Sequence, residues 1–112
     1  MPVVLVHTPP HAALAALLQA TADTVGETLG LGPGDVVATH VPTGGSTTSA
    51  RPAPVGVWTT ATWPVLCLLG GPREASTMDA ARRTAERAVI RWCEENDVTT
   101  GGVWVQWLTR TP

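Results

Sequence analysis

Pro2 is the residue with the most specific chemistry in this 112-residue chain. Bacterial processing removes Met1 when a small residue or Pro follows it, and the chain then begins with a free prolyl amine. Pro2 opens an apolar, β-branched stretch, Val3 to Thr8, that reads as a buried strand. Burial disfavours the charged form of an amine and lowers its pKa, and an amine tuned toward neutrality serves as a general base near pH 7. Position alone does not establish this, because Pro in second position is common. Arg73 stands at a strand-to-helix turn, where its guanidinium can hold a carboxylate by two parallel hydrogen bonds. The nearby helix start, with its free N–H groups, also favours an anion. The competing reading is a surface Arg paired with Glu74 or Asp79. In the last strand, alternation puts Trp104, Gln106 and Leu108 on one side. Gln106 can hydrogen-bond a substrate carbonyl or enol oxygen, or satisfy backbone groups at a subunit interface. Trp104 and His40 are candidates to line a pocket, His40 equally an interface.

Composition removes several alternatives. All seven cationic residues are Arg, and Lys, Tyr and Phe are absent. Schiff-base chemistry on a side-chain amine and acid–base chemistry on a phenol are thereby excluded. Seven Arg against nine acidic residues give a net charge of −2, which argues against nucleic-acid binding, where cations must neutralise phosphates. His7, His11 and His40 lack the tight spacing of a metal-ligand set, so neither a metal nor a cofactor is expected. Gly44-Gly45 has no P-loop Lys beside it. Two cysteines, Cys67 and Cys93, are too few for a disulfide scaffold and read as buried, reduced thiols of a cytoplasmic protein. The apolar run Val65 to Leu69 is far below the roughly 20 residues that span a bilayer, and no positive charge precedes the signal-like Ala20-Thr21-Ala22.

These residues need elements to position them. The pattern predicts strands over Val3–Thr8, Asp35–Val41, Pro64–Leu69 and Val103–Thr109, with a possible short strand over Val55–Thr62. Helical spacing of apolar residues predicts one helix from about His11 to Leu29 and another from about Thr77 to Asn96, the second opened by a Ser76/Asp79 capping pattern. A loop rich in Gly, Ser, Thr and Pro covers 43–54. The chain is therefore one domain over 1–112, built from two strand–helix–strand halves, 1–42 and 63–112. Each crossover makes its two strands parallel. Together they give an α+β fold: a four-stranded mixed sheet with two helices on one face. The Pro64–Leu69 strand is apolar on both sides, as strands covered on both faces are. The open face therefore predicts an oligomer.

The start Met-Pro-Val-Val-Leu-Val, the duplicated layout, and Gly70-Gly71-Pro72-Arg73-Glu74-Ala75-Ser76 with Val103-Trp104-Val105 resemble the tautomerase superfamily, which includes 4-oxalocrotonate tautomerase and macrophage migration inhibitory factor. The nearest look-alike is its cis-3-chloroacrylic acid dehalogenase group. The resemblance implies a β-α-β fold, a homotrimer, a proton-transferring N-terminal Pro2 and a carboxylate-binding Arg73. It also places a pocket-lining polar residue at Gln106. The departures are specific. The dehalogenases' second Arg is missing from Gly70-Gly71-Pro72, their last-strand Tyr is Gln106, and Glu27 stands near the place of a helix-end His. Their C-terminal Glu has no counterpart up to Pro112, and the second-strand Arg of 4-oxalocrotonate tautomerase is missing from Asp35–Val41. Pro2 with one Arg remains. The expectation is a keto–enol tautomerase of a small 2-keto or enol acid. The alternatives are a hydratase or decarboxylase with Pro2 protonated as acid, and a non-catalytic oligomeric protein of the same fold.

Overall fold

A computed structural model describes residues 1–44 and 56–108. Six elements follow in order: β1 (Val3–Thr8), α1 (Leu14–Leu29), β2 (Val37–Pro42), β3 (Val65–Leu69), α2 (Ala75–Glu95) and β4 (Trp104–Leu108). The sheet order is β2-β1-β3-β4. β1 and β2 are parallel, as are β3 and β4, whereas the central pair β1 and β3 is antiparallel. Each helix is thus the crossover between two parallel strands, and the two crossovers meet along an antiparallel seam.

Strand alternation sorts the side chains between the two faces. Val4, Val6, Leu66, Leu68 and Val105 point to one face and form a single core with Leu17 and Val25 of α1 and Ala85, Val89, Trp92 and Cys93 of α2. Leu17 and Leu66 have no exposed surface, and burying a side chain of this kind contributes about 1.5–3 kcal/mol. The other face carries Leu5, Cys67, Gln106 and their row neighbours. No helix among the described residues covers it, and Trp104 and Leu108 are 56% and 45% exposed there. The two cysteines are free thiols, Cys93 buried as expected but Cys67 only half-buried, because it faces the uncovered side of the sheet opposite Gln106.

Local hydrogen bonding moves several element ends from where periodicity puts them. α1 starts at Leu14, not near His11. His11 instead caps the turn before it, its Nδ1 accepting the Ala13 N–H at 2.9 Å and its carbonyl the Leu14 N–H at 3.2 Å. Asp35 belongs to a turn rather than to β2, because its carboxylate accepts the Gly32 N–H at 3.1 Å. The short strand expected over Val55–Thr62 is absent over its described part, 56–62. There the Thr62 hydroxyl accepts the Thr59 N–H at 2.8 Å and donates to the Val57 carbonyl at 3.2 Å, so side-chain-to-backbone bonds replace a strand ladder. The capping pattern also fails. Glu74 is the N-cap of α2 without a side-chain cap bond, and Ser76 and Asp79 lie inside the helix. The end of α1 is as expected, with Gly30 in the left-handed region at φ 69° and the Leu31 N–H closing onto the Gly26 carbonyl at 2.9 Å. Most of the loop expected over 43–54, and Thr109 at the end of the last strand, lie outside the described residues. No helix among the described residues is long and apolar enough to cross a membrane.

Candidate active site

Sheet topology brings Pro2 and Arg73 to one end of the sheet. Because β1 and β3 are antiparallel, with Val3 opposite Leu69, the start of β1 lies beside the end of β3 and the turn that follows it. Pro2 is buried, and its carbonyl is fixed by the Val37 N–H at 3.1 Å. Gly70 stands directly beside it. A Cβ placed on Gly70 would lie 3.5 Å from Arg73 Nη1, 3.6 Å from Trp107 Cζ3 and 3.7 Å from Pro2 Cα. Three residues from three separate stretches of the chain thus surround one point.

Arg73 is half-buried, and its Nη1 donates to the Gly71 carbonyl at 3.3 Å. It has no carboxylate partner among the described residues. Asp79, one candidate partner, is held by Arg82 at 3.2 Å and Arg83 at 3.1 Å, and Arg82 also reaches Glu86 at 3.3 Å. Glu74 is exposed and forms no ion pair with its neighbour. The guanidinium is therefore available to an anion, at the foot of a helix whose first turn has neither an acidic residue nor a side-chain cap. On the open-face side of this turn is a hollow of about 400 Å³ lined by Leu69, Gly70, Gly71, Pro72 and Leu108. It is mostly apolar. Other grooves lie between α1 and α2 and between α1 and the turn before β2, and neither is lined by Pro2 or Arg73.

Gln106, Trp104 and His40 are not brought to this point within one chain. Gln106 lies opposite Cys67 in the middle of the open face and accepts the Trp104 indole N–H at 3.0 Å. Trp104 pairs with Val65, at the far end of β3. His40 pairs with Val6, and its Nε2–H donates to the Thr8 carbonyl at 3.0 Å, with the Thr8 hydroxyl 3.1 Å away. Among the described residues no group of three His, Cys, Asp or Glu side chains is arranged to hold a metal ion.

The aromatic residue beside Pro2 and Arg73 is Trp107, which the sequence pattern does not single out. Alternation correctly places it on the core side of β4, opposite Leu68, but says nothing about which strand end faces Pro2. Its indole N–H donates to the Met78 carbonyl at 2.7 Å, pinning the first turn of α2 to the sheet end. Gly70, likewise, reads in the sequence only as a strand terminator.

No family model matches the sequence, and no curated protein matches it. Solved structures do match in fold. 5-Carboxymethyl-2-hydroxymuconate delta-isomerase superposes with a TM-score of 0.72 at 13% identity, covering 100% of this chain and 84% of that one. Malonate semialdehyde decarboxylase, described with decarboxylase and hydratase activities, gives 0.64 at 14%, covering 97% and 84%. A fused 4-OT symmetric trimer gives 0.64 at 19%, covering 97% and 87%. These likenesses establish the tautomerase-type fold.

Proposed function

We propose, given the tautomerase-type fold, that this chain is a keto–enol tautomerase of small 2-oxo or enol acids. The observation that carries the reading is the meeting around one point of Pro2 and an Arg73 that has no carboxylate partner among the described residues. Once Met1 is removed, the Pro2 nitrogen is a secondary amine. Its lone pair takes a proton from C3 of the substrate, and the C–H electrons move into the C2–C3 bond as the carbonyl becomes an enolate. The proton then returns to oxygen to give the enol, or to carbon in the reverse direction. Arg73 holds the carboxylate through two N–H donors and stabilises the charge that develops beside it. Pro2 is buried, and burial disfavours the charged form of an amine. While Met1 remains, the same nitrogen is an amide and has no basicity.

The open sheet face favours assembly, and we infer a homotrimer like the fused 4-OT neighbour. The exposed Trp104–Gln106 pair would then lie against a second copy, where Gln106 can polarise the substrate carbonyl and Trp104 lines the interface, whereas His40, opposite Val6, is on the other face of the sheet. The test is solvent exchange at C3 of phenylpyruvate by the mature protein and by Pro2→Ala. Loss of exchange in the variant is expected, and equal rates would falsify the reading. A second reading, hydration or decarboxylation with protonated Pro2 as acid, draws support from the malonate semialdehyde decarboxylase neighbour. The pH profile separates the two. Activity rises with pH through the amine pKa if Pro2 is a base and falls if it is an acid.

A further inference from the structure

Met1 and Pro2 are neighbours in sequence and opposites in exposure. Met1 is 79% exposed, whereas Pro2 is buried. The Pro2 carbonyl already accepts the Val37 N–H at 3.1 Å. Val3 then pairs with Val37 on one side and Leu69 on the other. β1 is thus tied along both edges from its first residue, unlike the outer strands β2 and β4. Val4, two residues on from Pro2, has no exposed surface and belongs to the core.

An exopeptidase seats the residues on both sides of the bond it cuts, so it needs a short stretch of free, extended chain. Met1 alone cannot supply that stretch. Pro2 and the residues after it must first leave the sheet, and cleavage then tracks the population of the opened form. Returning Val4 to water lowers that population about tenfold or more, and the ladder bonds lost to two strands lower it further. We propose that the fold protects the Met1–Pro2 bond, so that a methionine aminopeptidase removes Met1 before β1 pairs and not afterwards. The step is a hydrolysis: water adds across the amide, its oxygen going to the Met1 carbonyl carbon and a proton to the Pro2 nitrogen, which becomes the free amine. On the Pro2 reading above, which this inference extends, a copy that folds with Met1 in place keeps an amide at the site. The active fraction is then fixed while the chain is still unfolded.

The experiment uses the full chain released from an N-terminal fusion with Met1 as its first residue, a methionine aminopeptidase, and intact mass as the readout. A synthetic peptide of Met1–Thr8 is the reference for an unhindered bond. The folded chain should lose Met1 at least about a hundredfold more slowly than the peptide. Val4→Ala should speed the loss about tenfold in the protein and not at all in a peptide carrying the same change. Urea below the unfolding midpoint should speed it likewise, after correction by the peptide, and serves where the alanine variant folds poorly. A folded chain cut within about threefold of the peptide rate overturns the protection. So does a slow loss that neither Val4→Ala nor urea accelerates, because β1 would not be its cause. Exchange of phenylpyruvate tests the Pro2 reading separately. Chain processed while unfolded and then refolded should exchange, and the Met1 form should not. Equal exchange by both overturns the Pro2 reading, whereas fast cleavage of the folded chain overturns only the protection of the bond.

Discussion

Trp107 offers the sharpest separation of a hydrogen bond from a packing contact at the candidate site. Its indole N–H donates to the Met78 carbonyl at 2.7 Å, and its six-membered ring lies against Gly70. Trp107→Phe keeps a ring in place and removes the donor. Met78 lies inside α2, so its carbonyl also accepts the intrahelical N–H four residues on and is not orphaned. The loss is then one ordinary net hydrogen bond, about 1 kcal/mol, which in a domain of this size lowers the melting temperature by about 4 °C. Trp107→Ala removes the packed ring as well and should cost about 3 kcal/mol. Urea denaturation of the three proteins at one fixed concentration measures both steps, since assembly makes stability concentration-dependent. The Phe variant should also show a raised KM in the exchange assay, because the pinned first turn of α2 carries Arg73 at its start. Equal stability of Phe variant and wild type would show that the indole N–H holds nothing. Equal stability of Phe and Ala variants would refute the packed ring.

Two further outcomes are expected. Gly102→Ala should destabilise by about 1–3 kcal/mol, because its Cβ would meet the Trp63 ring at 2.5–2.9 Å, whereas Gly71→Ala, whose Cβ meets nothing within 4 Å, should stay within about 0.5 kcal/mol of wild type by thermal melting. Burial, and then the neighbouring Glu94 carboxylate, push the Cys93 thiol above its ordinary range. The unfolded chain releases this proton from about pH 8.5 while the folded chain retains it, so folding stability falls as pH rises beyond that point. Urea curves at pH 7.5 and 9.5, with reductant present, should show a smaller alkaline loss for Cys93→Ala than for wild type.

The fold is largely legible in the sequence because its two central strands are apolar runs with Pro at their borders and its two helices carry continuous apolar stripes. What local pattern cannot supply is strand order and register. Alternation tells which face Trp104 and Trp107 occupy, but only the parallel pairing of β4 with β3 shows that Trp104 sits opposite Val65, away from Pro2, and Trp107 opposite Leu68, towards it. Threonine side chains decide the segment before β3, where hydroxyl-to-backbone bonds outcompete the strand that Val57 and Trp58 suggest. Pro2 and Arg73 are legible as residue types. Gly70, which joins them, is not, since an absent side chain leaves no signal beyond that of a turn.

The antiparallel seam between β1 and β3 makes the two ends of the sheet near copies of one another. At one end the Pro2 carbonyl takes the N–H of Val37, the first residue of β2. At the other, the fully buried Pro64 gives its carbonyl to the N–H of Trp104, the first residue of β4, at 2.9 Å. Shape hardly distinguishes the two prolines, yet covalent order does. The nitrogen of Pro64 is bound for good to the Trp63 carbonyl, while that of Pro2 is one peptide bond from freedom. On the proposed reading of Pro2, a chain rearranged to start at Pro64 would offer its amine to the opposite end, where His11 stands at the turn instead of Arg73.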